Sequence, residues 1–255
     1  MDVVVCAKYV PNPSGVPELG PDFRLRREGV EGALDPGDEP GVEVALRLVE
    51  HAGGEVTAVS MGPEPAVAAV RRALAMGAHR GVLVTDDALR GADVLATARV
   101  LAAAIRRRPF DLVVAGVEST DGSTGTMPIA LAEFLGVPSL TFARHVELRD
   151  GLLVVHRQTE AGYDVVECPL PALVTVTAGA AEPRYPTLKG IMQAKQKPFE
   201  QLFLRDLGLS PEDVRPTQEV VGVEPVPEKR SGALVEDPAQ APAAIVELLK
   251  DARVI

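Results

Sequence analysis

Tryptophan is absent from these 255 residues, and aromatic residues of all kinds make up only 4%. The core must therefore come from Val, Leu and Ala, which suit parallel strands covered by helices. Positive charge is also in deficit, with 26 Lys and Arg against 36 Asp and Glu. The net charge of -10 withholds the broad positive field that a general nucleic-acid binder needs. No apolar run approaches the ~20 residues of a membrane span. The chain enters an apolar run at Val3 with no basic leader or cleavage site before it, so no signal peptide and no membrane insertion are expected.

Cysteine is scarce as well. Cys6 and Cys168 are far apart and form no C-x-x-C pair. The chain reads as cytoplasmic, a compartment where a structural disulfide is not expected. The histidines at 51, 79, 145 and 156 lack the spacing of structural zinc ligands, so no metal is expected. What is plentiful is hydrophobic residues, at 46%, enough for a sizeable core.

Their pattern is regular over the first half. Val3–Ala7, Val56–Ser60, Gly81–Thr85 and Asp111–Gly116 are short continuous apolar runs that read as buried strands. Helical spacing follows each of them: Val42 to Val49, Val67 to Leu74, Val94 to Ile105, and a stretch ending near 135. Four β–α units in succession predict a doubly wound α/β fold with a mainly parallel sheet. After Pro138 the rhythm changes. Residues 143–149, 152–158 and 163–168 read as an antiparallel addition with Asp150-Gly151 as a hairpin turn, and 173–177 as one more strand. Residues 1–209 are thus expected to form one α/β domain. From Ser210 the proline-rich run to Gly232 predicts an extended arm. It leads to a helix over 239–250, and the arm is expected to pack on another subunit.

Ligands of open parallel sheets bind beyond the carboxyl ends of the strands. Four loops lie there: after Ala7, before the helix at 40, after Ser60, and GVESTDGSTGTMP after Ala115. In the last, Asp121, Ser123 and Thr124 are candidate caps for the following helix, and Gly122 and Gly125 allow close backbone approach. The loop reads equally as an anion site at a helix start and as a plain capped turn. It has no Walker lysine, the first strand turn CAKYVPNPSG has no G-x-G-x-x-G, and no G-x-S-x-G elbow occurs. Catalytic machinery is not apparent, which argues for a non-enzymatic role.

AAEPRYPTLKGIMQAKQKP, residues 180–198, carries Arg184, Lys189, Lys195 and Lys197 against a single acid, Glu182. Leu188, Ile191, Met192 and Lys195 recur at one helix face, with Thr187 placed to cap it. Such a stripe is either core or an interface.

The spelling Glu182-Pro183-Arg184-Tyr185, Leu188, Ile191-Met192, Ala194-Lys195 and Lys197 resembles the signature of electron-transfer flavoprotein β subunits. So do C-A-K at the first strand, D-P-x-D before the first helix, ALAMGAHRG at 73–81 and the D-G-S-T-G loop. The likeness covers about residues 1–209. It implies a heterodimer with an α subunit that holds the FAD. It further implies electron carriage from acyl-CoA dehydrogenases to a membrane quinone oxidoreductase, with 180–198 as a recognition loop. Glu182, Arg184, Tyr185, Leu188, Ile191, Met192 and Lys195 would then meet partners, Leu188 as the anchor. A structural AMP is implied at Cys6, Asp35, Pro36, Gly37, Asp38, Met61, Gly116, Asp121, Gly122, Ser123 and Thr124, the four loops already reached from the sheet. Aromatic residues found near the flavin in some relatives have no counterpart around Asn12, Pro13 and Gly37, so flavin contacts from this chain stay unassigned. Two other readings compete: a bifurcating relative with a second FAD in the nucleotide site, and a stand-alone adenine-nucleotide-binding regulator.

Overall fold

A computed structural model describes residues 1–12, 18–27, 29–224, 226 and 234–255. Strand β1 (Asp2–Cys6) sets the logic of the sheet. Successive side chains of a strand point to opposite faces. Val3, Val5 and Ala7 join one apolar cluster, while Val4 and Cys6 join the other. A strand covered on both faces must be apolar throughout, which explains the unbroken runs.

Short strands β2 (Tyr9–Pro11) and β3 (Gly32–Leu34) pair as an antiparallel ribbon. Then come α1 (Glu39–Ala52), β4 (Glu55–Met61), α2 (Val67–Met76), β5 (Arg80–Val84), α3 (Val94–Ile105), β6 (Leu112–Gly116) and α4 (Met127–Leu135). Helices α1 and α2 cover one face, contributing Val42, Leu46, Ala69 and Leu74. Helices α3 and α4 cover the other through Ala98, Leu101 and Leu131. Leu95, placed by its spacing on the apolar stripe of α3, is exposed.

The second half is β7 (Ser139–Arg149), β8 (Leu152–Thr159), β9 (Gly162–Pro169), β10 (Ala172–Val176), α5 (Leu188–Ala194), β11 (Phe199–Leu202) and α6 (Ala241–Asp251). The nine-stranded sheet has the order β11-β5-β4-β1-β6-β10-β7-β8-β9. Strand β7 begins earlier than its sequence suggests because it belongs to two neighbourhoods. Ser139 and Leu140 pair parallel with β10, and its later residues pair antiparallel with β8. Asp150 and Gly151 both have positive φ, as a two-residue hairpin turn requires.

Two differences concern the C-terminal third. Phe199–Leu202 forms a parallel edge strand on β5. Residues 204–207 and 211–214 form 3₁₀ turns that bury Leu204 and Val214, and Thr217 donates its amide and hydroxyl to Asp93 at the start of α3. The first residues after Ser210 therefore fold on the sheet domain, and contacts divide the chain between Val220 and Val221. Within the second unit α6 is amphipathic in sequence, yet it buries none of its residues. The remainder of the expected extended run falls partly on residues 225 and 227–233, outside the described set, as does Pro13.

Candidate functional site

The carboxyl ends of β1, β4 and β6 lie side by side in the sheet, and buried carboxylates knit together the loops around this candidate crevice. Asp35 accepts from Gly37 N at 2.8 Å and from the amide and hydroxyl of Thr120 at 2.8 and 3.2 Å. It thereby ties the approach to α1 to the loop after β6. Asp38 occupies the N-cap position of α1 without capping it. Its carboxylate instead accepts from Lys8 N at 2.7 Å and Gly116 N at 3.3 Å, fastening the ends of β1 and β6. Only glycine fits at 116: an added Cβ would lie 2.8 Å from Asp38 Oδ1 and 3.0 Å from Gly37 O.

Burial pushes the Asp38 pKa up to about 7, with Asp35 adding repulsion and the amides of Lys8 and Gly116 opposing both. Burial, and then the charge of Asp38, raise the Cys6 thiol to about 12. Cys6 is a buried, protonated thiol rather than a nucleophile.

The loop after β6 departs from the expected capping. Asp121, Ser123 and Thr124 do not cap α4; its N-cap is Thr126, which makes no side-chain cap bond. The reason is local. Ser123 and Gly125 have positive φ, a conformation no helix can continue. Asp121 is held by cations: Lys8 Nζ at 2.6 Å and Arg27 at 2.6 and 3.1 Å. Burial would raise the Asp121 pKa, but these partners hold it below the usual carboxylate range. Lys8 also reaches Ser119 Oγ at 3.0 Å. The amides of Gly122, Thr124, Gly125 and Thr126 make no hydrogen bond among the described residues. Ser60, at the end of β4 beside half-buried Met61, has a buried hydroxyl without a partner. Pro36, Gly122, Ser123 and Thr124 are exposed.

Of the expected nucleotide residues, the structure thus joins Asp35, Gly37, Asp38 and Gly116 in one network, with Cys6 beneath it. Lys8, Arg27 and Ser60 were not foreseen in any role, whereas Ser119 and Thr120 fall inside the expected stretch from Gly116 to Thr124. Lys8 was visible in the C-A-K motif, whereas nothing in the sequence flags Arg27, which lies 94 residues from Asp121.

The apolar stripe of the 180–198 segment is not part of the core. Thr187 Oγ1 accepts from Gly190 N at 3.0 Å and caps α5. Its apolar stripe faces solvent: Tyr185 is 87% exposed, Leu188 76%, Met192 66% and Ile191 49%. Lys195 and Glu182 are also exposed. Within α5 only Ala194 is buried, and Gly190 lies so close to α2 that a Cβ there would meet the Ala75 carbonyl oxygen at 2.6 Å. Arg184 alone of the expected partner residues turns inward, bonded to Glu43 and Glu50 of α1.

Among the described residues no three His, Cys, Asp or Glu side chains converge as a metal site would need, and no helix is long and apolar enough to cross a membrane.

Residues 22–207 match the family model described as electron transfer flavoprotein domain. The chain is 37% identical over 264 residues to electron transfer flavoprotein subunit beta of Mycobacterium bovis, covering 100% of this chain and 99% of that one. It is 37% identical to the Bacillus subtilis protein of the same name, covering 91% of each. To the caffeyl-CoA reductase-Etf complex subunit CarD of Acetobacterium woodii it is 36% identical over the full length of both. The chain belongs to the electron transfer flavoprotein family, among its β subunits. Its role is accordingly that of an electron-carrier subunit working in a flavin-dependent α/β heterodimer with redox partners.

Proposed function

We propose that this chain is the β half of a cytoplasmic carrier that takes electrons from acyl-CoA dehydrogenases and delivers them to a membrane quinone oxidoreductase. The observation that carries this reading is the exposed apolar tip, Leu188, Ile191 and Met192, presented on a fastened base. A small apolar anchor ringed by Lys189 and Lys195 gives modest affinity and salt-screened steering, which suits a partner that must leave after each transfer. Tyr185, Leu188, Ile191, Met192 and Lys195 are the contact residues; Glu182 and Arg184 shape the base. FAD, held mainly by the α subunit, supplies the redox chemistry. Leu188→Ala should retain flavin yet slow flavin reduction by a dehydrogenase about tenfold at low carrier concentration, the scale of one apolar anchor. Unchanged kinetics would remove the anchor.

The crevice is assigned to AMP as a structural filler. Its residues fit such a group: unpaired amides in a glycine-bearing loop suit a phosphate, Lys8 and Arg27 neutralise the carboxylate of Asp121 beside that loop, and Ser60 has an unmet hydroxyl. Asp35, Pro36, Gly37, Asp38, Met61, Gly116 and Asp121 to Thr124 would surround it, over Cys6. The likeness to CarD favours a second reading, a bifurcating subunit with FAD in this crevice. Chromatography of nucleotides released from the denatured heterodimer separates the two: AMP with one flavin supports the carrier, two flavins the bifurcating form. Residues 221–255 are assigned to packing on the α subunit, since α6 leaves Ile245 and Leu248 exposed. Their deletion should weaken the heterodimer by roughly a hundredfold or more, because an arm that orders on binding surrenders all its contacts. An equally tight dimer in sedimentation would reject that assignment.

A further inference from the structure

The tip is held at both ends, by different helices and chiefly through polar bonds. At its entry Arg184 makes a fork. Nε and Nη2 donate to Glu43 at 2.7 and 3.1 Å, Nη1 and Nη2 donate to Glu50 at 2.5 and 3.1 Å, and the Arg184 amide adds a bond to Glu43 at 3.2 Å. At its exit Arg71 Nη1 donates to Ala194 O at 2.6 Å, and Lys197 Nζ donates to Leu74 O and Ala78 O at 2.8 and 2.7 Å. Between these fastenings α5 has seven residues and one buried side chain. Isolated helices shorter than about 12 residues are marginal in water. Intrinsic helicity does not account for an ordered tip, and the close packing of Gly190 and burial of Ala194 hold only one side of α5, so the fastenings at its two ends fix the rest.

Glu43 is the centre of the entry fork. It is 3% exposed and also bonds Arg47 at 2.6 Å. Burial opposes its charge, yet Arg184 and Arg47 hold its pKa below the usual range. Losing a partner of a buried carboxylate costs far more than losing an exposed ion pair. A lysine would keep the charge at 184 but cannot bridge two carboxylates through a planar fork.

We propose that Arg184 is a positioning residue for docking: with Glu43 and Glu50 it fixes the tip before a partner arrives, so that binding has little left to order. The idea rests on the docking role assigned to α5 above. The test uses the full FAD-loaded heterodimer, an acyl-CoA dehydrogenase with its acyl-CoA as the reductant, and hydrogen exchange of residues 188–194. Arg184→Lys should raise the KM for the carrier about tenfold, more than it lowers kcat, and speed exchange across 188–194 without changing flavin content. Glu50→Gln should act in the same direction but less, since Glu43 keeps its part of the fork. Leu188→Ala should raise KM with exchange unchanged. Faster exchange in Arg184→Lys at unaltered KM, with Leu188→Ala still impaired, rejects positioning and leaves docking intact. A raised KM with unaltered exchange makes Arg184 a direct partner contact and also overturns the proposal. Normal KM in Leu188→Ala overturns the docking role and the proposal with it.

Discussion

The crevice and the tip break the ordinary rule of burial in opposite directions. In the crevice, carboxylates that usually seek water are enclosed; on the tip, side chains that usually avoid water are displayed. The buried polar side chains include Asp35, Asp38 and Glu43, and these three divide between the two regions. Asp35 and Asp38 lock loops around the crevice, and Glu43 locks the stalk of the tip. A buried carboxylate surrounded by donors tolerates little displacement, because each lost bond leaves part of the desolvation cost uncompensated. Both regions thus use enclosed charge for geometry. They differ in what the geometry presents: unpaired amides in one region, apolar surface in the other.

The sharpest break in this comparison comes from Asp38→Asn. Both neighbours of that carboxylate are backbone N–H donors, one to each oxygen, so the NH2 of an Asn side chain would face a donor. Stability should fall by about 1–3 kcal/mol while docking kinetics persist. The pH response gives a second readout. Asp38 has a folded pKa of about 7, above its ordinary 3.8, so the folded state holds the proton more tightly. Its contribution is complete below the ordinary value and is lost as pH rises through about 7. Nucleotide-free protein should therefore lose stability between those values from this group, and the variant should show a flatter denaturation profile. An identical slope in both proteins would contradict the burial assigned to Asp38.

Gly190→Ala attacks the other region. Its Cβ would press on the Ala75 carbonyl, backbone that cannot swing aside, so α5 must lift from α2. The expected result is a KM for dehydrogenases raised roughly tenfold with the nucleotide retained, as misplacement of an interface anchor would produce. Steady-state kinetics and nucleotide release check the two halves. The smallest effect belongs to Tyr185→Ser, since that ring is almost fully exposed. Thermal unfolding should shift by less than about 0.5 kcal/mol in stability, leaving any kinetic change attributable to contact alone.

The parallel half of the fold was legible because a strand covered on two faces must be apolar at every position, and each such run was followed by a helical stripe. Strand β11 was not: as an edge strand it exposes Gln201 and half-exposes Glu200, leaving Leu202 as its one buried residue. The β2–β3 ribbon has three residues in each strand, too few for a period to emerge. In the crevice, the loops that carry Asp35, Asp38 and Gly116 could be placed from the strand ends, but the residues themselves came only from the family resemblance. Lys8 and Arg27 could not be given roles, because their long side chains meet Asp121 across more than ninety residues of chain. The inward bonds of Arg184 were hidden for a related reason. A basic residue in a basic segment reads as surface, and only the facing Glu43 and Glu50 on α1 turn it inward.

Helix α1 carries a consequence for how such chains diverge. Asp38 stands at its first turn, Glu43 and Glu50 five and twelve residues further on, so one rod of about 18 Å serves as an abutment for both the proposed ligand cradle and the proposed probe. A lineage that retunes the cradle for a bulkier base by tilting this rod also re-aims the probe. Changes of nucleotide and changes of client should therefore be inherited together.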